Sequence, residues 1–213
     1  MTEKLTPEIL LYAYSIGIFP MAESRLSADL HWIDPPLRGI FPLEGFHISK
    51  RFSRRIAQWD CEVRVDSAFR AVMEGCADRP ETWINDEIFD LYGALHQSGH
   101  AHSLEIWEAD RLIGGVYGVA LGGAFFGESM FSRRPEASKL ALAYLVHRLR
   151  AGGFGLFDTQ FLTPHLQSLG AVEISRAAFQ AKLKSAQSRP ALFDPPGYLA
   201  DRHSVRQRKI QTS

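Results

Sequence analysis

Asp158 and Gln160 lie two residues apart in the run Leu156-Phe157-Asp158-Thr159-Gln160-Phe161-Leu162. That run reads as a strand, and side chains two apart on a strand face the same side. A carboxylate beside a carboxamide can orient an amide, which can in turn position or polarise a reacting group. The same pair can also simply satisfy nearby backbone or a helix end, and spacing alone leaves the choice open. Glu128 is the second candidate. It sits in the apolar run 113–131 without a neighbouring Lys or Arg, where a carboxylate is costly unless something pairs or hydrogen-bonds with it.

Other chemistries fail on their own requirements. Gly127-Glu128-Ser129-Met130-Phe131 resembles a nucleophile elbow, but that turn needs glycine two residues after the serine, and Phe131 stands there. His100 and His102 share a strand face, yet no third metal ligand stands at a persuasive spacing, so they read as structural. Cys61 and Cys76 form no CxxC pair and read as reduced, partly buried thiols.

These candidates need a scaffold. Residues 113–131 read as two apolar strands joined by a Gly122-Gly123 hairpin turn, with both sheet faces covered. Around this hairpin, residues 6–16 predict a helix capped by Thr6 with Pro7 at its first position and Gly17 at its end. An apolar turn, Ile18-Phe19-Pro20-Met21, follows. His31-Trp32-Ile33-Asp34-Pro35-Pro36 reads as a rigid connector, and Arg38 to Leu43 as a short strand placed at an edge by Pro42. Residues 48–59 are an amphipathic helix with Ile48, Phe52, Ile56 and Trp59 on one face. Lys50, Arg51, Arg54 and Arg55 cover the other. No acid interrupts them, which inclines the reading from a merely solvated face toward a polyanion contact.

Cys61 to Val65 predicts a strand, Asp66 or Ser67 caps a helix through Cys76, and a helix spans 86–97. Ser103 to Trp107 alternates as a strand. Pro135 and Glu136 suit the first turn of a mostly buried helix to about Arg150. After the strand 156–162 come a helical turn at 165–169 and a helix at 175–186. From Lys182 onward stand seven Lys/Arg and two Asp, which read as a loose basic tail.

The organisation expected is a small N-terminal domain at 1–35, a catalytic domain at 36–188 and a basic tail at 189–213, in the α+β class with a mixed sheet. Of 213 residues, 46% are hydrophobic and 23% charged, ordinary for a soluble globular protein. The net charge is zero, so any nucleic-acid surface must be a local patch. No signal peptide and no run near the ~18 apolar residues of a membrane helix are visible, so a cytoplasmic protein is expected.

The order strand, strand, strand, long helix, strand, helix is similar to an acetyltransferase-like core. Such cores bind a coenzyme pyrophosphate at a glycine-bearing turn before the long helix. Here that turn is Ser132 to Ser138 and lacks glycine, which disfavours coenzyme A and leaves a small-molecule N-acyltransferase as the alternative reading.

Several stretches taken together resemble one family. They are Ala13-Tyr14-Ser15-Ile16-Gly17-Ile18-Phe19-Pro20, Trp83-Ile84, residues 100–107, residues 114–120, Gly127 to Arg133, Ala137-Ser138-Lys139, Asp158-Thr159-Gln160 and residues 165–171. In this order over roughly residues 10 to 180 they resemble the bacterial leucyl/phenylalanyl-tRNA–protein transferases. The resemblance implies transfer of Leu or Phe, less readily Met, from aminoacyl-tRNA to a protein's N-terminal Arg or Lys, creating an N-degron, without coenzyme A or metal. It also implies roles. Asp158 and Gln160 match the pair implicated in peptide-bond formation, and Glu128 a pocket acid that holds the aminoacyl end and the amine. Val116, Phe125, Met130 and Leu145 match the amino-acid pocket; Tyr14, Trp83 and Tyr92 match residues near the terminal adenosine. Met21 stands where some members stack a tryptophan on adenine, and Leu145 where an aromatic can line the pocket. Whether Asp158 is a base or an orienting group stays open.

Overall fold

The computed structural model of the chain describes residues 5–22, 24, 25, 27 and 30–206. In chain order the elements are α1 (Pro7–Ser15), β1 (Phe19–Ala22), β2 (Leu30–Ile33), β3 (Leu37–Phe41), α2 (Lys50–Gln58), β4 (Glu62–Val65), α3 (Phe69–Ala77) and α4 (Asp86–Gln97). Then follow β5 (Ala101–Glu108), β6 (Arg111–Leu121), β7 (Ala124–Ser132), α5 (Ala137–Ala151), β8 (Leu156–Gln160), α6 (Pro164–Ser168), β9 (Val172–Ser175), α7 (Arg176–Gln187) and α8 (Arg202–Arg206).

A seven-stranded sheet runs β4-β5-β6-β7-β8-β3-β9, and β1 and β2 form a separate two-stranded ribbon. Every pairing in the large sheet is antiparallel except β7 with β8. Helices cover both faces, as expected for strands apolar on both sides. One apolar cluster joins α1, α3, α4 and α7 to the sheet, and the other joins α2 and α5 to the opposite face. Leu10, Tyr14 and Phe19 belong to the first cluster, so the amino-terminal segment packs into the main core.

Two departures from regularity matter for the site. The parallel β7–β8 pairing stops at Phe126 opposite Asp158, after which β8 continues beside β3 and β7 runs on alone on that side. The β6–β7 ladder contains a bulge: Tyr117 opposes Ser129 and Gly118 opposes Gly127, leaving Glu128 as the extra residue. A bulge bends its strand and re-aims a side chain. Gly118 makes this one possible, because a Cβ there would meet the Phe126 carbonyl oxygen at 2.2 Å.

Several expectations need correction. Ile18 to Met21 is not a simple turn and His31 to Ile33 not a bare connector: Phe19–Ala22 and Leu30–Ile33 pair as β1 and β2. The strand β3 is internal, between β8 and β9, because Pro42 lies just past its last residue and removes no ladder donor. The four-residue β9 was too short to register as a pattern. Neither Asp66 nor Ser67 is the N-cap of α3. Ala68 holds that position, with its N–H donated to Glu105 Oε1 at 2.8 Å and Ser67 Oγ also bonded to Glu105. Glu136 is not in the first turn of α5 but precedes it in the left-handed region, φ +72°.

The tail is not loose through Arg206. Phe193 stacks on Phe125 and His102, Val205 is buried, and α8 packs on α2 and α5. The rest of the basic tail, 207–213, lies outside the described residues.

Candidate functional site

Where β7 and β8 part, a cleft of about 300 Å³ opens, with Glu128 and Gln160 on its wall. The bulge turns Glu128 inward, and α1 and α4 deliver two phenols to it. Tyr14 Oη donates to Oε1 at 2.7 Å and Tyr92 Oη to Oε2 at 2.9 Å, while the two phenol oxygens lie 2.5 Å apart. Gln160 Nε2 donates to Oε1 at 3.0 Å. Burial pushes the Glu128 carboxyl up to about 7, although these three donors oppose it. Burial likewise pushes both phenols well above their ordinary value.

Asp158 sits behind this wall with no exposure and does not line the cleft. Its oxygens are occupied. Arg38 reaches Oδ1 through Nε at 2.9 Å and Oδ2 through Nη2 at 2.6 Å, and the Gln160 N–H donates to Oδ1 at 2.8 Å. Burial pushes the Asp158 carboxyl up, against the pull of Arg38 and of that N–H. The third Arg38 nitrogen, Nη1, donates to the Gly17 carbonyl at 2.9 Å. The guanidinium lies between the rings of Phe19 and Phe179, 4.6 and 4.4 Å from their centroids, a geometry that favours a desolvated cation. Asp158 thus fastens β8 to the loop after α1 and, through its bond two residues on, holds Gln160 at φ +63°. Few non-glycine residues adopt that region without such support.

The amide orientation of Gln160 follows from its partner. An ionised Glu128 can only accept, so the NH2 group faces it and the carbonyl oxygen is what the amide can offer a second ligand. Most of the remaining cleft wall is apolar. Met21, Trp83, Val116 and Met130, four of the residues the resemblance singled out, line it, together with Leu142, Phe157, Phe161 and Leu166. Tyr14 and Tyr92 stand behind Glu128, fully buried, rather than on the surface a base would touch. Phe125 and Leu145 do not line the cleft. The ring of Phe125 is packed against Phe154, Phe157 and Phe193, and Leu145 lies in the same cluster on that face. On α5, Leu142 reaches the cleft instead, one turn earlier.

Sequence reasoning missed Arg38, Arg79 and Thr159. Arg38 carried a usable signal: a lone cation in the apolar run Leu37-Arg38-Gly39-Ile40-Phe41 poses the same cost that singled out Glu128. Arg79 lines the cleft and reaches Ser129 Oγ at 3.5 Å. Thr159 also lines it, with a buried hydroxyl that has no partner among the described residues. His102 is held by Asp66 at 2.7 Å, and among the described residues no group of three or more His, Cys, Asp or Glu is placed to hold a metal ion. At the start of α5 the Ser138 N–H already donates to Ser132 Oγ at 3.1 Å.

A second, wider concavity of about 800 Å³ is lined by Arg51, Arg54, Arg55, Arg111 and Arg134 around Trp59. It shares no residue with the first. Part of its charge is compensated, since Arg55 pairs with Glu136 at 3.2 Å and Arg134 pairs with Glu108. The basic face of α2 therefore belongs to a cationic basin continued by β6 and the turn before α5.

The family described as Leucyl/phenylalanyl-tRNA protein transferase matches residues 40–184, and its N-terminal domain matches residues 3–36. A protein of Cereibacter sphaeroides named Leucyl/phenylalanyl-tRNA--protein transferase is 63% identical over 209 residues, 98% of each chain. One of the same name from Roseobacter denitrificans is 58% identical over 211 residues, 99% of this chain and 100% of its own. Among solved structures, FemX superposes with a TM-score of 0.52 at 12% identity, over 76% of this chain and 65% of its own, which bears on the acetyltransferase-like fold alone. The chain belongs to the leucyl/phenylalanyl-tRNA–protein transferase family.

Proposed function

We propose that this enzyme moves Leu or Phe, less readily Met, from aminoacyl-tRNA to the N-terminal Arg or Lys of proteins, producing an N-degron in the cytoplasm. The observation that carries the reading is the cleft itself: a mostly apolar slot with a carboxylate and a carboxamide on its wall, in a chain of this family. An aminoacyl ester is already activated, so attack by an amine needs no further energy source. A protein α-amino group has a pKa near ~8, so a useful neutral fraction exists at physiological pH. Holding the two ends together supplies much of the acceleration.

In this assignment the apolar side chain lies among Val116, Met130, Leu142 and Phe157. Met21 and Trp83 border the adenosine, where Met packs more weakly than a stacking Trp. The Gln160 carbonyl oxygen accepts from the incoming amine, Asp158 fixes Gln160, and Glu128 favours a cationic partner. The cationic basin around α2 supports contact with tRNA phosphates. Among the described residues no helix is long and apolar enough to cross a membrane.

The decisive experiment incubates the protein with leucyl-tRNA and a peptide beginning with Arg. The expected result is a mass gain of one leucine residue, and no gain refutes the proposal. Stabilisation by coenzyme A would instead revive a thioester-dependent acyltransferase.

A further inference from the structure

We infer that Tyr14, Tyr92 and Glu128 form a proton store, and that Glu128 rather than Asp158 takes the proton released by the attacking amine. The inference rests on the transfer reading above, and its geometry is a count of protons. Four contacts join these groups: Tyr14 to Tyr92, Tyr14 to Oε1, Tyr92 to Oε2, and Gln160 Nε2 to Oε1. With Glu128 ionised, the two phenols and the Gln160 amide supply three protons for four contacts. One oxygen pair is then left without a proton, in a site where unmet polar contacts are costly. With Glu128 protonated the count closes. The acid proton goes to one phenol, that phenol donates to the other, and the second phenol and the amide donate to the remaining carboxyl oxygen. The ionised cluster is one proton short, and the reaction provides one.

Asp158 offers no comparable vacancy. Its oxygens already receive the Arg38 guanidinium and the Gln160 N–H, and no atom of it lines the cleft. Glu128 does line it. The surroundings keep the Glu128 proton exchangeable. Tyr14 of α1, Tyr92 of α4 and Gln160 of β8 donate to the charged form, while burial and Asp158 disfavour it. Tyr117 of β6 also couples to Glu128, and Cys76 of α3 and Arg79 just after that helix face Tyr117 in turn. Arg38 is committed to Asp158.

The transfer balances without a further reactant. The neutral amine nitrogen attacks the ester carbonyl carbon, a C–N bond forms, and the nitrogen gives one proton to the Glu128 carboxylate. Collapse of the tetrahedral intermediate breaks the C–O bond to the ribose, and the departing oxygen takes that proton back. Glu128 finishes ionised, as it began.

Two measurements test this. The first is the pH profile of single-turnover leucyl transfer at saturating Arg peptide. Wild type should show a limb rising through about pH 7, beside that of the amine near ~8. Glu128→Gln should lose the lower limb and fall roughly 10²–10⁴-fold in rate. Asp158→Asn should be slower with the limb in place. Loss of the limb in Asp158→Asn, or its survival in Glu128→Gln, overturns the assignment.

The second is an infrared titration of the protein alone, in which wild type should lose a protonated-carboxyl band around neutral pH that Glu128→Gln lacks. Absence of the band overturns the store whatever the activity. A band in a wild type that transfers no leucine refutes the transfer reading, and the proton's catalytic use with it.

Discussion

Replacing Arg38 with Met tests whether the buried ion pair holds the site together. Met is of similar length and apolar, so it can lie between Phe19 and Phe179 where the guanidinium now lies. What it cannot do is neutralise Asp158, which keeps no exposure and a single remaining donor, the Gln160 N–H. Removing one partner of a buried pair costs about 3–5 kcal/mol, because the other charge stays behind uncompensated. For a chain of this size that is a fall in Tm on the order of 10 °C. Asp158→Asn leaves the guanidinium unpaired instead and should cost a similar amount.

The double variant, Arg38→Met with Asp158→Asn, carries neither charge of this pair. The carboxamide introduced at position 158 can still accept the Gln160 N–H through its oxygen. The loss in the double variant should therefore fall short of the sum of the single losses by about 2–3 kcal/mol, the upper part of the range of about 0.5–3 kcal/mol for directly contacting pairs. Urea unfolding followed by tryptophan fluorescence gives all three values, and an unchanged m-value confirms that the same surface is exposed in each. Additivity within about 0.5 kcal/mol would refute the reasoning, because it would mean that the two charges do not depend on each other.

Four further outcomes follow from other parts of the structure. Glu128 has its folded carboxyl raised from 4.5 to about 7, so the stability it contributes is full below the unfolded value and is lost as pH rises through 7. Glu128→Gln should therefore gain on wild type across that window, by at most about 3 kcal/mol, and parallel stability–pH curves would contradict it. Gly118→Ala puts a Cβ 2.2 Å from the Phe126 carbonyl oxygen; it should cost about 3 kcal/mol and abolish transfer, and retention of wild-type stability would mean the bulge is not needed. Leu145→Ala should lose about 2–5 kcal/mol without changing selectivity, whereas Leu142→Ala should favour Phe over Leu by roughly tenfold in competition; the reverse pattern would return Leu145 to the pocket. Arg51→Gln and Arg54→Gln should each lower the salt slope of tRNA binding by about 1 if they meet phosphates, and an unchanged slope would remove α2 from the interface.

Elements with strong local grammar were legible. The capped α1, the amphipathic α2 and the hairpin around Gly122 and Gly123 follow from residue type and period alone. The ribbon of β1 and β2 and the short β9 were not, because four residues carry too little pattern to separate a strand from a turn. The place of β3 inside the sheet is a matter of long-range pairing with β8 and β9, to which a local rule about Pro42 is blind.

The site was legible in its parts but not in its phase. Alternation along β7 places Phe125 and Phe126 on opposite faces, in opposite clusters. The extra residue at Glu128 then shifts the pattern, so Phe131 joins the cluster of Phe126 although an odd number of positions separates them. No period-2 reading contains that shift. Cost alone was also too blunt a criterion. Glu105 is as buried as Asp158, yet it serves the start of α3 through the Ala68 N–H and Ser67. What separates the three buried carboxylates is the state of their oxygens and their access. Glu105 is spent on backbone and hydroxyls, and Asp158 on a guanidinium and the Gln160 N–H. Glu128 alone of the three both faces the cleft and sits among phenols whose protons do not fill every contact. A carboxylate becomes a candidate for proton transfer through that incomplete satisfaction, and a sequence records the acid but not the donors that distant helices bring to it.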